Sequence, residues 1–105
     1  MKFRSNNCVA IHLTSLAKAE RFYRDVLGLR LKSKTRTCLE FDTGNFLLYI
    51  NRSSKAQAPT PSFTVKSIAK ARRLLKGARC KIVVDRGSSL YFQDPFGNVF
   101  DVIED

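Results

Sequence analysis

The chain has 105 residues, of which 44% are apolar and 27% are charged. This length and composition describe one globular domain, which excludes a second independent domain and an intrinsically disordered chain. Lys and Arg number 19 against nine Asp and Glu, so the formal net charge is +10, which attracts anions but says little about the fold.

The first half of the chain predicts one strand, one helix and three further strands. A β-prone run, Cys8–Leu13, precedes apolar residues at helical spacing, which predict a helix over 15–27. Thr14 or Ser15 can cap the start of this helix, and Gly28 follows as its stop signal. Three more β-prone runs then follow, at Leu29–Lys34, Thr37–Phe41 and Phe46–Ile50.

The second half predicts the same order of elements. A polar, proline-containing segment, Arg52–Pro61, is interpreted as an exposed linker. A short strand at Ser62–Val65 leads into a helix predicted over 67–76, with Ser67 as its cap. The three strands that follow are predicted at Arg79–Val84, Ser89–Gln93 and Val99–Ile103.

The two halves also resemble each other in sequence. Ser15–Phe22 matches Ser67–Leu74 at an offset of 52 residues, and Gly44–Phe46 matches Gly97–Val99 at an offset of 53. Two copies are too few for a solenoid, so the pattern indicates one duplicated supersecondary unit. We therefore predict an α+β fold of two tandem βαβββ modules, over 1–52 and 60–105, in a single domain of residues 1–105.

The cysteine count and the apolar runs bear on the cellular compartment. Cys8, Cys38 and Cys80 are odd in number and show no C-x-x-C spacing, while the single His12 leaves no Cys/His cluster for zinc. We therefore expect reduced thiols in a cytoplasmic protein. The longest apolar run, Phe46–Ile50, is far shorter than the roughly 20 residues of a membrane span, and the amino-terminal segment is too polar for a signal peptide.

Two stretches carry a resemblance to a known family. The sequences AERFYRDVLGL, at Ala19–Leu29, and YFQDPFGNVFD, at Tyr91–Asp101, resemble the signature stretches of the vicinal oxygen chelate superfamily. This superfamily includes glyoxalase I, the fosfomycin and bleomycin resistance proteins and the extradiol dioxygenases. The resemblance implies paired βαβββ modules that form a curved mixed sheet around a cavity, where many members hold a divalent metal.

The resemblance also implies positions for the metal ligands. The first-strand ligand falls on Cys8 and the last-strand carboxylate on Asp101. Their counterparts at an offset of 52 are Thr60 and Tyr49, whereas an offset of 53 selects Leu48 in place of Tyr49. One thiol and one carboxylate are too few for a metal of this kind, so we expect no metal and no cofactor.

Several side chains are candidates for contact with a ligand. His12 shares a strand face with Cys8 and is the best candidate for a general base or an anion donor, although it can equally be a structural histidine. The two lie roughly 13 Å apart along a strand, which disfavours a Cys-His dyad. Tyr49 and Asp101 can orient a ligand by hydrogen bonds. Glu40 is either an acid within the cavity or a solvated group.

A basic row after the first helix is a further feature. Arg30, Lys32, Lys34 and Arg36 recur with a period of two, which predicts that all four project from one face of a strand. Such a row is either a solvated face or a rim that binds anions.

The main functional hypothesis is a small-molecule-binding protein of the glyoxalase/bleomycin-resistance type, without a catalytic metal and with an anionic or neutral ligand. Its predicted ligand-binding residues are Cys8, His12, Tyr49, Thr60 and Asp101. An alternative is a lyase, isomerase or dioxygenase with a degenerate metal site, in which His12 or Asp101 transfers protons. A second alternative, less favoured, is a basic module whose second helix contacts nucleic-acid phosphates. We expect a homodimer, because dimerisation covers strand edges and apolar faces.

Overall fold

The computed structural model describes residues Met1–Asp105, which form eight strands and two helical segments. The helical segments are α1, Leu16–Glu20, which continues as a π-helix over Arg21–Val26, and α2, Ile68–Gly77. Both agree with the predicted helices. The strands are β1 Arg4–Leu13, β2 Arg30–Lys34, β3 Cys38–Asp42, β4 Leu47–Arg52, β5 Gln57–Val65, β6 Lys81–Asp85, β7 Ser89–Gln93 and β8 Val99–Glu104.

The chain divides into two units. The first unit comprises Asn7–Pro59, and the second unit comprises Met1–Asn6 together with Thr60–Asp105. This division differs from the predicted module boundaries because the first six residues join the second unit. Phe3 explains that placement, since its ring lies edge-on to Phe63 and Phe92 at centroid distances of 6.1 and 6.3 Å.

The first unit is a four-stranded mixed sheet in the order β2-β3-β4-β1, covered on one face by α1. Strands β1 and β4 are parallel, and the other neighbours are antiparallel. Alternating apolar side chains along the strands face the helix, where Ala19 is buried. The buried core contains Ile11, Leu39, Phe41, Leu48 and Ile50.

The second unit repeats this arrangement. Its strands lie in the order β5-β8-β7-β6, with β5 and β8 parallel and the remaining pairs antiparallel. Helix α2 contributes apolar residues at helical spacing to the core. The buried residues are Val65, Ile68, Ala71, Leu75, Leu90, Phe92 and Val102. The predicted α+β fold of βαβββ modules is therefore confirmed.

The registers of the two units correspond residue by residue. Ala10 lies opposite Tyr49 in the first unit, and Ser62 lies opposite Asp101 in the second, which is an offset of 52 on both strands. The first two antiparallel strands correspond at an offset of 51, and even their irregularity is duplicated, because the register shifts between Leu31 and Ser33 and again between Ile82 and Val84.

The change of offset from 52 to 51 occurs within the helices. Ser15 and Ser67 cap the two helices in the same way, each accepting a hydrogen bond from the backbone N–H three residues later. After the helices, Gly28 and Arg79 occupy the same left-handed conformation, with φ of 71° and 67°. The first helix therefore holds one extra residue, and its π-helical winding absorbs it.

The predicted linker is too long. Strand β5 begins at Gln57, so only residues 53–56 separate the strands of the two units. Pro59 and Pro61 are compatible with a strand here because the pairing with β8 covers only Ser62–Val65. The N–H groups that the prolines lack are therefore not needed in that ladder.

The prediction that the basic row shares one face is wrong, because the bulge in β2 shifts the alternation. Arg30 and Lys32 pair with Asp42 and Glu40 on the neighbouring strand, at 3.3 and 3.5 Å. Lys34 instead pairs with the carboxylate of Glu20 on α1, at 2.8 Å. No helix of the chain is both long and apolar enough to cross a membrane.

The left-handed position after α1 gives a direct test of the duplicated backbone. Gly28→Ala is expected to lower the free energy of unfolding by about 1 kcal/mol, because an L side chain at this φ is strained. Gly77→Ala is the matched control, since its φ is not positive and an added Cβ meets no heavy atom within 4 Å at either site. The control should raise the unfolding free energy by about 0.5 kcal/mol.

Urea denaturation of both variants measures the two changes. Equal effects of the two substitutions would contradict the assigned backbone conformations.

Candidate functional site

A polar face lies opposite the helix-covered face of the first unit. On β1, Cys8, Ala10 and His12 alternate with the residues that face the core, and the parallel register sets Ala10 beside Tyr49. The antiparallel partner of Tyr49 on β3 is Glu40. We call these side chains, Cys8, His12, Glu40 and Tyr49, the first polar face.

Three predicted site residues are thus brought to one face of one unit. His12 is buried, with 9% of its surface exposed, so it belongs to the interior of this face and not to a solvated rim. Leu48, the residue that an offset of 53 selects, lies in the core on the opposite side. The structure therefore supports Tyr49 as the residue equivalent to Asp101.

Tyr49 keeps its proton at neutral pH. Burial, followed by the nearby charge of Glu40, raises the pKa of its phenol to about 12. The carboxylate of Glu40 lies on the same face, is largely buried and is 3.5 Å from the ammonium group of Lys32. This answers the open question about Glu40, which faces the polar side of the sheet next to the tyrosine.

Cys38 is a poor nucleophile. Burial, with the charge of Glu40 as a second cause, raises the pKa of the Cys38 thiol. Cys8, Cys38 and Cys80 form no disulfide.

The second unit holds a short hydrogen-bond chain around Asp101. The hydroxyl of Ser62 donates to Asp101 Oδ2 at 2.9 Å, and the amide of Asn6 donates to the Ser62 oxygen at 2.8 Å. Burial raises the pKa of Asp101, while the bond from Ser62 and the charge of Arg86 act against that rise. We call Asn6, Ser62 and Asp101 the second polar cluster.

The second polar cluster contains two residues that the sequence analysis did not select. Thr60, which was selected, is buried on the same strand, two residues from Ser62 and therefore on the same side. The available signal was the repeat itself, because the offset of 52 that pairs Tyr49 with Asp101 also pairs Ala10 with Ser62. Asn6 had no such signal, since its placement depends on the packing of the amino-terminal segment on the second unit.

Tyr91 and Arg86 border this cluster. Tyr91 is the antiparallel partner of Asp101, and the guanidinium of Arg86 lies 4.9 Å from the centre of the Tyr91 ring. That distance is typical of a cation–π contact. The contact places a positive charge near the carboxylate of Asp101 on the same strand pair.

The residues at the family's metal positions do not fit a divalent metal. Thr60 offers a neutral hydroxyl, Tyr49 a protonated phenol, and Asp101 a carboxylate already bonded to Ser62. Such ions require several imidazole, thiolate or carboxylate ligands together. No group of three or more His, Cys, Asp or Glu side chains in the chain has that arrangement.

Several solved structures have a similar fold. An extradiol ring-cleaving dioxygenase from B. fuscum is similar over 99% of this chain and 33% of its own, with a TM-score of 0.73 and 21% identity. The Mn(II)-bound glyoxalase from Novosphingobium aromaticivorans is similar over 99% of this chain and 40% of its own, with a TM-score of 0.68 and 17% identity.

A third similar structure is close to this chain in length. It is named as an NAD-dependent benzaldehyde dehydrogenase from Legionella pneumophila, and the similarity covers 92% of this chain and 96% of that one, with a TM-score of 0.73 and 18% identity. The dioxygenase chain, in contrast, is matched over only 33% of its length. Identities this low show a shared fold alone.

Sequence comparison gives the family. No curated protein matches the sequence. The sequence profile of one superfamily matches residues 7–102, which is most of the chain. The chain belongs to the Glyoxalase/Bleomycin resistance protein/Dioxygenase superfamily.

Proposed function

We propose that this protein binds a small polar organic molecule, anionic or neutral, and that it does so without a catalytic metal. The observation that carries the proposal is the donor set at the family's metal positions, Cys8, Tyr49, Thr60 and Asp101, which contains one carboxylate and no imidazole. The positions that hold a metal in many relatives here hold groups suited to hydrogen bonding. Binding, with no metal chemistry, is therefore the proposed activity.

Charge supports an anionic or neutral ligand. The net charge of +10 speeds the approach of anions and disfavours cationic molecules. His12 is the residue of the first polar face whose protonated form can donate to a carboxylate or a phosphate. We therefore place His12, with Tyr49, in contact with the ligand.

An enzymatic role is the second candidate, and the second polar cluster favours it. The raised pKa of Asp101 brings a carboxylic acid closer to the range in which it can exchange protons. Asn6 and Ser62 orient that carboxyl group through consecutive hydrogen bonds. A lyase, isomerase or dioxygenase with a degenerate metal site would use Asp101 or His12 for this transfer.

Nucleic-acid binding is less well supported. The basic residues of α2 that would contact phosphates are Lys70, Arg72, Arg73 and Lys76. The guanidinium of Arg72 instead donates two hydrogen bonds to Asp85, at 2.8 and 2.9 Å, and a third to the carbonyl of Gly87. A bidentate pair of this kind occupies the donors that a phosphate would need.

The first prediction of the proposal concerns metal content. Protein purified without added metal should contain no stoichiometric zinc, iron, nickel or manganese, because the donor set is too poor to hold them. Elemental analysis of the wild type and of Asp101→Ala measures this. Stoichiometric metal in the wild type that is lost in the variant would favour the enzymatic candidate instead.

The second prediction concerns His12. A thermal-shift screen of carboxylate and phosphate metabolites, followed by calorimetry, should identify a ligand that His12→Ala binds roughly ten- to a hundredfold more weakly. That loss corresponds to about 1.5–3 kcal/mol for a hydrogen bond to a charged group. His12→Gln serves as a second variant, because it fills more of the site but carries no charge.

The two variants separate binding from packing. Loss of affinity in both, with cooperative unfolding retained, supports a direct contact. Unchanged affinity in both, or hits that are exclusively cationic, would show that His12 is structural and that the proposed ligand class is wrong.

The third prediction concerns assembly and location. We propose a homodimer, because Phe22, Val26 and Leu27 of the first unit expose 47%, 69% and 52% of their surface. We also propose a cytoplasmic location, as the cysteine pattern of the sequence indicates. Light scattering should give about twice the chain mass of 11.9 kDa at micromolar concentration. Val26→Asp should shift the protein toward the monomer, whereas Val83→Asp, at an exposed valine of the second unit, serves as the control.

A monomeric wild type at high micromolar concentration would rule out the proposed dimer. Equal dissociation by both substitutions would place the interface elsewhere.

A further inference from the structure

A cationic groove lies in the second unit, apart from the second polar cluster. Its volume is about 450 Å³, and four of the six residues that line it are basic. No carboxylate lines it. The lining residues, which define the cationic groove, are Met1, Lys2, Arg4, Lys66, Ser67 and Lys70.

Packing of the amino-terminal segment forms this groove. Phe3 packs against the core of the second unit and makes edge-on contacts with Phe63 and with the core residue Phe92. Its neighbours Lys2 and Arg4 are exposed and line the groove. Lys66 and Lys70 reach the same groove from the start of α2. Basic residues distant in sequence therefore converge on one concave surface.

Most of these cations lack an acidic partner. Lys2, Arg4 and Lys70 form none of the ion pairs of the structure, in contrast to Arg30, Lys32, Lys34 and Arg72, which each contact a carboxylate. Lys66 has a loose, exposed pair with Asp105 at 3.6 Å. Three converging positive charges are thus left uncompensated.

The backbone N–H groups at the amino terminus of α2 do not create the attraction of the groove for anions. The hydroxyl of Ser67 accepts a hydrogen bond from the N–H of Lys70, and the carboxylate of Glu104 accepts one from the N–H of Ile68. These donors are therefore already used. The attraction for an anion comes from the side-chain cations of the groove.

We propose that the cationic groove binds a small molecule that carries several phosphate groups. Three uncompensated charges repel one another, and a polyanion relieves that repulsion. Arg4 can contact a phosphate through two parallel hydrogen bonds, and the lysines act as point charges beside it. The volume lies within the range of small-molecule sites. This site goes beyond the proposed function, because none of its residues belongs to the first polar face or to the second polar cluster.

The test uses inorganic triphosphate as the probe. Calorimetry at about 150 mM salt compares the wild type with Arg4→Gln and Lys70→Gln, each of which removes one groove cation. Arg73→Gln is the matched control, because it also removes one positive charge. Arg73 is exposed on α2, the helix that carries Lys70, but does not line the groove. We expect each groove variant to bind at least about fivefold more weakly, and the control to stay within about twofold.

Three results would overturn the proposal. One is no binding of triphosphate to the wild type at millimolar concentration, and another is an equal loss in Arg73→Gln, which indicates only long-range attraction. The third is binding of duplex DNA without binding of triphosphate. Arg4→Gln and Lys70→Gln alter no residue of the first polar face or the second polar cluster. Their effect on triphosphate binding and the effect of His12→Ala on the ligand found in the screen are therefore separate results, so failure of this site and failure of the proposed function are distinguishable.

Discussion

Parallel pairing of the first and last strands of each unit is the constraint on which the rest of the structure depends. It sets Ala10 beside Tyr49 in the first unit and Ser62 beside Asp101 in the second. Parallel strands need a crossover connection, and here that connection carries the helix that covers the apolar face. The opposite face is left to polar side chains. A slip by one residue would turn those polar groups toward the helix, where they would be buried without partners.

The duplicated backbone tolerates insertions only where no strand pairing is disturbed. The extra residue of the first unit is absorbed by a π-helical turn before Gly28, so the strands that follow keep their register. In the second unit, the longer turn at Asp94–Asn98 restores the offset of 52, and the Asp94 carboxylate accepts hydrogen bonds from the N–H groups of Phe96 and Asn98. Both changes lie outside the strands, one in the π-helical segment and one in a turn, so neither disturbs a strand pairing.

Polar groups and charges follow two different patterns in this protein. In the second polar cluster, Asn6, Ser62 and Asp101 satisfy one another, which compensates the desolvation of buried groups. On the surface, several cations pair with carboxylates, and each such exposed pair contributes little to stability. Three cations of the groove, Lys2, Arg4 and Lys70, instead remain uncompensated. Like charges that converge in this way repel one another and do not stabilise the fold, and the proposed phosphate site would account for them.

The sequence by itself determined the order of elements and both helices, because apolar periodicity and capping residues are local signals, and the internal repeat indicated the duplication. The superfamily was indicated by the resemblance of Ala19–Leu29 and Tyr91–Asp101 to its signature stretches. It also placed His12 and Cys8 on one face. Tertiary structure alone decided the rest. The bulge that separates Lys32 from Lys34, the hydrogen bond from Asn6 to Ser62 and the seating of Phe3 that forms the groove all depend on contacts between distant residues. Such contacts follow from register and packing, which no local pattern of the sequence encodes.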